Sequence, residues 1–107
     1  MAEHSKQFIY VLKLVPRLHI PDNWTERDNE AAEAHFKALQ GLLKDGKLVL
    51  AGRTLESEET TFGIVILQTV DEEEARRLME NDPAVKGGIM TAELHPYHVA
   101  LMSNEPV

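Results

Sequence analysis

Residues 45–79 read DGKLVLAGRTLESEETTFGIVILQTVDEEEARRLM, and this stretch decides the fold. Asp45-Gly46-Lys47 is a stop signal, and the β-rich run at residues 48–55 directly after it reads as a strand. The polar run at residues 56–61 reads as a hairpin loop. Residues 62–70, FGIVILQTV, are dense in β-branched and aromatic side chains and form the returning strand. Asp71 and Glu74 then stand in the D-x-x-E spacing that caps a helix. Ala75, Leu78 and Met79 supply its apolar face, and Pro83 limits it. A hairpin followed by a capped helix is the second half of a β-α-β-β-α-β chain.

The first half lies upstream. Residues 7–15, QFIYVLKLV, read as a strand that ends at Pro16, which cannot extend a ladder. Residues 16–24 form a loop whose turn residues are Pro21, Asp22 and Asn23. Thr25 is suited to cap the next helix, with Glu26 and Asp28 near the positive end of its dipole. Ala32, His35, Phe36, Leu39, Leu42 and Leu43 then recur at helical spacing, and Gly46 closes the run. Downstream, Gly87-Gly88 turn the chain into a last strand from Ile89 to about Met102, bent or bulged near Pro96. The whole chain, residues 1–107, reads as one α+β domain of ferredoxin-like β-α-β-β-α-β order.

The strands carry a further implication. In the first, Phe8, Tyr10, Leu12 and Leu14 alternate with Ile9, Val11 and Val15, so both faces are apolar. In the third strand Val65 and Leu67 oppose Phe62, Ile64 and Ile66. Two helices on one side of a sheet cover only one such face. A second copy of the chain is the economical cover for the other, which implies a homodimer.

Composition narrows the function. Of 107 residues 18 are acidic and 11 basic, for a net charge of −7. Such a surface repels phosphate backbones and anionic lipid, which argues against nucleic-acid and membrane partners. Residues 63–68 also lack the basic and aromatic side chains of an RNA-recognition sheet. With no cysteine there is no disulfide, no thiolate metal site and no cysteine nucleophile. No apolar run approaches bilayer length, and residues 1–6 lack the apolar core of a signal peptide, so the cytoplasm is the expected location. Neither a cofactor nor a metal is implied, and a small-molecule ligand or substrate is the expected partner.

Two polar residues sit where apolar ones belong. His35 lies at the edge of the apolar arc of the first helix, beside Leu42. A partly buried histidine satisfied by one hydrogen bond would account for it. Asp82 takes the next inward position after Ala75, Leu78 and Met79. An N-cap would account for it, because Asp82-Pro83-Ala84 is an ordinary helix start. Both helices share one sheet face in this fold, however, so the two can meet. A carboxylate beside a histidine fixes its tautomer, the usual setting for proton transfer. His19, His95 and His98 read as solvated or structural, since His95 and His98 fall on opposite faces of a straight strand. His4 lies near a terminus. Tyr10 and Arg53 could line a pocket, with core packing and surface solvation as the competing readings.

The ordered set Glu33-Ala34-His35-Phe36-Lys37-Ala38-Leu39, Leu43-Lys44-Asp45-Gly46-Lys47-Leu48, Asn81-Asp82-Pro83-Ala84-Val85 with Gly87-Gly88, and Leu94-His95-Pro96-Tyr97 resembles the YciI-like proteins. The resemblance covers about residues 8–99. It implies a dimeric α+β barrel with a His–Asp dyad, which would fall on His35 and Asp82. Related barrels include dehydrochlorinases, isomerases and cofactor-poor monooxygenases. The sequence departs from that pattern in a longer segment between Pro16 and Thr25, and in Gly52-Arg53 where Gly-Pro is common. Two functions remain open: a small-molecule enzyme of lyase or isomerase type using His35 and Asp82 for acid–base chemistry, or a non-catalytic dimer that binds a small ligand or a protein partner.

Overall fold

Alternation of apolar side chains makes Lys6–Leu14 (β1) a strand, and the computed structural model, which describes residues 6–103, builds the sheet around it. His4 and the rest of the first five residues lie outside the described ones. Three longer elements follow: the helix Glu26–Lys44 (α1) and the strands Leu48–Arg53 (β2) and Gly63–Thr69 (β3). The helix Glu72–Glu80 (α2), a one-turn helix Pro83–Lys86 (α3) and the strand Met90–Tyr97 (β4) complete the chain. The antiparallel sheet runs β2-β3-β1-β4, so β3 inserts between the strands that α1 connects. This is the ferredoxin-like α+β fold.

Register fixes the two faces. Tyr10 lies opposite Val65 and Leu94, and Phe8 opposite Leu67, so these residues share the helix-covered face. There Phe8, Tyr10, Leu12, Leu39, Leu48, Val65, Leu67, Ala75 and Met79 form the core. On the other face Ile9 lies opposite Ile66 and His95, and Val11 opposite Ile64 and Glu93. No helix among the described residues covers that side. Ile9, Val11 and Ile64 are half-buried there and Leu50 is exposed, whereas neighbouring side chains already bury Ile66.

The ends of the helices follow their sequence signals. Thr25 Oγ1 accepts from Asp28 N, and the Asp28 carboxylate accepts from Thr25 N in return, a closed capping box. At the other end Lys47 N donates to Leu42 O and Gly46 N to Leu43 O, the paired bonds of a Schellman turn. Asp71 caps α2, while Glu74 reaches back to Val70 N and also takes the Lys47 ammonium at 2.7 Å.

Three expectations need correction. Phe36 and Leu43, assigned to the apolar arc of α1, are 62% and 59% exposed. The buried stripe of that helix is narrower, and Phe36 falls at its rim. The last strand ends at Tyr97 rather than near Met102, and its register with β1 runs unbroken through Pro96. As an edge strand, β4 tolerates a residue with no N–H to donate. The irregularity lies instead in β2, between Leu48 and Leu50.

Residues 16–24 are the other departure. They form two short 3-10 turns, Pro16–His19, which the sequence did not mark, and Pro21–Asn23, on the residues read as a turn. Leu18 is fully buried against Ala84 and Ile89. Trp24 Nε1 donates to Leu18 O, and Asn23 Nδ2 to Arg17 O. Arg17 grips Asp28 with both guanidinium nitrogens, at 2.7 and 2.9 Å.

Arg17, together with the donors of Thr25, holds the Asp28 carboxyl well below the usual carboxylate range. A lowered native value contributes stability at pH above the ordinary carboxylate value of about 4, and the contribution is lost as pH falls through the native value. Arg17→Gln should therefore lower the melting temperature at pH 7, and the gap to the parent protein should narrow below about pH 4. Thermal melts of both proteins across that range check this. A gap that stays constant from pH 7 down to about pH 2 would exclude the ion pair as its source.

Candidate functional site

Asp82 is 4% exposed, a depth at which a carboxylate needs partners. It has three. Its Oδ1 accepts from Ala84 N at 2.9 Å and lies 2.6 Å from His35 Nδ1. Its Oδ2 accepts from the Tyr10 hydroxyl at 2.6 Å. Asp82 is thus the N-cap of α3 and also the partner of His35. The two readings of this residue are not alternatives, because one oxygen serves both the backbone and the imidazole.

Local sequence puts the carboxylate there. Pro83 occupies the first position of α3, where its missing N–H costs nothing. Four residues later the helix closes in a second Schellman turn, with Gly88 N donating to Val85 O and Ile89 N to Ala84 O. Gly88 sits at φ +76°, open to glycine and strained for other residues. A side chain at Gly87 would meet Pro83 O at 2.7 Å and Ala31 Cβ at 3.1 Å. Glycine there lets α3 press onto α1, one turn from His35. The carboxylate and the imidazole are brought together by that close approach.

Tyr10 fixes the network from below. It is fully buried in β1, and burial above all, then the charge and hydrogen bond of Asp82, push its hydroxyl far above the ordinary phenol value. The phenol therefore keeps its proton and acts as a donor. With Oδ1 accepting from Nδ1–H, the imidazole is the tautomer whose Nε2 carries the lone pair. His35 retains 16% of its side-chain exposure, and Nε2 takes no hydrogen bond among the described residues.

His35 borders a cleft of about 550 Å³ between α1, the helix-covered face of the sheet and the β2–β3 loop. Its walls are mostly apolar. Leu12 and Leu14 come from β1, Leu39 from α1 and Met90 from β4, while Trp24, Phe36 and Phe62 are the aromatic side chains. His35, Arg53, Glu58 and Thr61 supply the polar side chains. A site of this kind binds a small, largely apolar molecule and presents a few polar groups to it.

The remaining histidines stand apart from it. His95 faces the uncovered side of the sheet, with Nε2 3.3 Å from Glu93. His98 follows β4 and is exposed, and His19 closes the first 3-10 turn. Neither borders the cleft. No three His, Asp or Glu side chains among the described residues converge as metal ligands, and no described helix is long and apolar enough to cross a membrane.

Sequence reasoning left Tyr10 among the core residues. One signal could have promoted it: a tyrosine in a strand's fully buried alternation needs a partner for its hydroxyl. An inward aspartate on a helix above the same face was the obvious acceptor.

Several solved structures share the fold. The 5-chloro-2-hydroxyhydroquinone dehydrochlorinase of Burkholderia phenoliruptrix, in complex with 2,5-dihydroxybenzoquinone, superposes at a TM-score of 0.64 with 19% identity, over 86% of this chain and 93% of that one. A protein proposed to be an antibiotic biosynthesis monooxygenase, from Bacteriodes thetaiotaomicron, gives 0.55 and 13%, over 100% of both chains. SnoaB, a cofactor-independent oxygenase from Streptomyces nogalater, gives 0.51 and 11%, over 95% and 99%. At these identities the likeness speaks for the fold. A comparison with curated proteins finds no match. The sequence itself matches the YCII-related domain over residues 12–95, a span that contains both His35 and Asp82, and the chain belongs to that family.

Proposed function

We propose that the protein is a small-molecule enzyme in which His35 moves a proton to or from a ligand in the cleft. The observation that carries this reading is the 2.6 Å contact between His35 Nδ1 and the buried Asp82 carboxylate, which leaves Nε2 directed away from the pair. Asp82 positions the ring, and Tyr10 positions Asp82. General acid–base catalysis by such a histidine is worth roughly a hundred- to ten-thousand-fold in rate. A lyase or isomerase acting on a cyclic or carbonyl-bearing metabolite needs no more than this. That the structural neighbours include a dehydrochlorinase solved with a quinone and a cofactor-independent oxygenase supports a small-molecule substrate.

A substrate screen with matched melting curves tests the reading. His35→Asn should abolish turnover while the fold survives, and Asp82→Asn should lower turnover less. Tyr10→Phe keeps the ring but strips one donor from a buried carboxylate, at a cost of about 1–3 kcal/mol in stability. It should reduce kcat with KM little changed, whereas a purely structural tyrosine would leave kcat intact. Equal activity in the parent protein and His35→Asn would shift the assignment to a non-catalytic domain that binds a small ligand or a protein.

We further propose that the protein works as a homodimer, paired through the helix-free face of the sheet. Ile9, Val11, Ile64 and Leu50 share that face, and no helix among the described residues covers it. Light scattering after size exclusion at micromolar concentration should return twice the chain mass, and Val11→Asp should return the single-chain mass. A parent protein of single-chain mass at every concentration would contradict the pairing.

A further inference from the structure

Within the cleft, one charged side chain is left over by the chemistry above. Arg53 lies opposite Gly63 in the β2–β3 ladder, and Gly63 lies opposite Leu12 in β1. This register puts Arg53 on the helix-covered face, where it borders the same cleft as His35. Gly63 presents no side chain against it: a Cβ there would come within 3.9 Å of Arg53 Cβ. The ion pairs of Arg17, Lys47 and Arg76 leave Arg53 aside, and among the described residues it has no carboxylate partner. Among the described residues it is the sole Lys or Arg lining the cleft, in a chain whose net charge is −7. Glu58 borders the cleft as well, yet forms no ion pair with it.

The aromatic side chains add a second constraint. Trp24 is held in place by its Nε1–H bond to Leu18 O. Phe36 and Phe62 stand at the rim, 62% and 36% exposed, so their ring surface is available to a ligand. Flat apolar rings around one unpaired guanidinium suit a planar ring that carries an acidic oxygen. Arginine offers two parallel N–H donors to such a group, an arrangement that a lysine ammonium cannot reproduce.

We infer that Arg53 is the specificity-determining residue of the cleft, binding the anionic oxygen of a planar aromatic ligand whose ring lies among Trp24, Phe36 and Phe62. The inference rests on the reading of this cleft as a substrate site and names the class of molecule it takes. Calorimetric titration at pH 7 with 2-naphthoate and its neutral counterpart 2-naphthamide tests it. The parent protein should bind the acid at least about ten-fold more tightly than the amide, the usual worth of a hydrogen bond to a charged group. Arg53→Gln should erase that preference, and Arg53→Lys should keep part of it. His35→Asn should retain the preference in full, so a failure of the proton-transfer reading leaves this result untouched. Equal affinity for acid and amide, no binding of the acid, or a preference that survives Arg53→Gln would each overturn the inference. So would a preference lost in His35→Asn but kept in Arg53→Gln, which would assign the anion to the imidazole.

Discussion

Taking the Asp82 carboxylate out of water costs several kcal/mol, and much of the surrounding structure serves to offset that cost. A buried carboxylate is tolerable only when its lone pairs are met. Here the backbone of α3 supplies one donor, the phenol of Tyr10 a second and the imidazole of His35 a third. Each donor comes from a different element: a strand in the middle of the sheet, the long helix, and the one-turn helix the aspartate itself begins. Removing the Tyr10 hydroxyl leaves Oδ2 without a donor, and removing the imidazole leaves Oδ1 with the Ala84 amide alone, so the full set holds a single geometry. The same requirement explains the tight turn at Gly87 and Gly88. The aspartate reaches the histidine only if α3 lies almost in contact with α1.

From this follows the character of the cleft. Most of its wall is aliphatic or aromatic, and the imidazole is a small polar spot on it. In such surroundings electrostatic interactions are stronger than in water, so a single oriented polar group has more effect. The segment after β1 closes this side of the domain. Leu18 is buried, the Trp24 indole is tied to the backbone, and the Arg17–Asp28 pair anchors the segment to the first turn of α1. Of this ordered segment, Trp24 borders the cleft.

Much of this was legible in the residues, for physical reasons that can be named. Capping boxes, glycine stops and period-two strands are local signals, so Thr25, Gly46 and Asp71 marked their boundaries well. The inward positions of His35 and Asp82 could be read from helical spacing, and topology put them on one face. What escaped depended on non-local partners. Asp28 was read as an acid near the positive end of a helix dipole, and its burial under Arg17, eleven residues earlier, had no local signal. Phe36 and Leu43 fit the apolar spacing but fall outside the buried stripe, and spacing alone does not give the width of such a stripe. Tyr10 was read as core and is core. Its hydroxyl found its acceptor across 72 residues of sequence, where no local pattern reaches.

The central claim is that Asp82 holds the His35 imidazole in one tautomer, with the proton on Nδ1 and the lone pair on Nε2. Long-range proton–nitrogen correlation by NMR, on uniformly labelled protein and followed across pH, reads this directly. The account predicts an Nδ1–H tautomer for His35, with a slowly exchanging, strongly downfield proton that vanishes in Asp82→Asn. A ring protonated on Nε2, or a rapidly averaging mixture of tautomers in the parent protein, would contradict it.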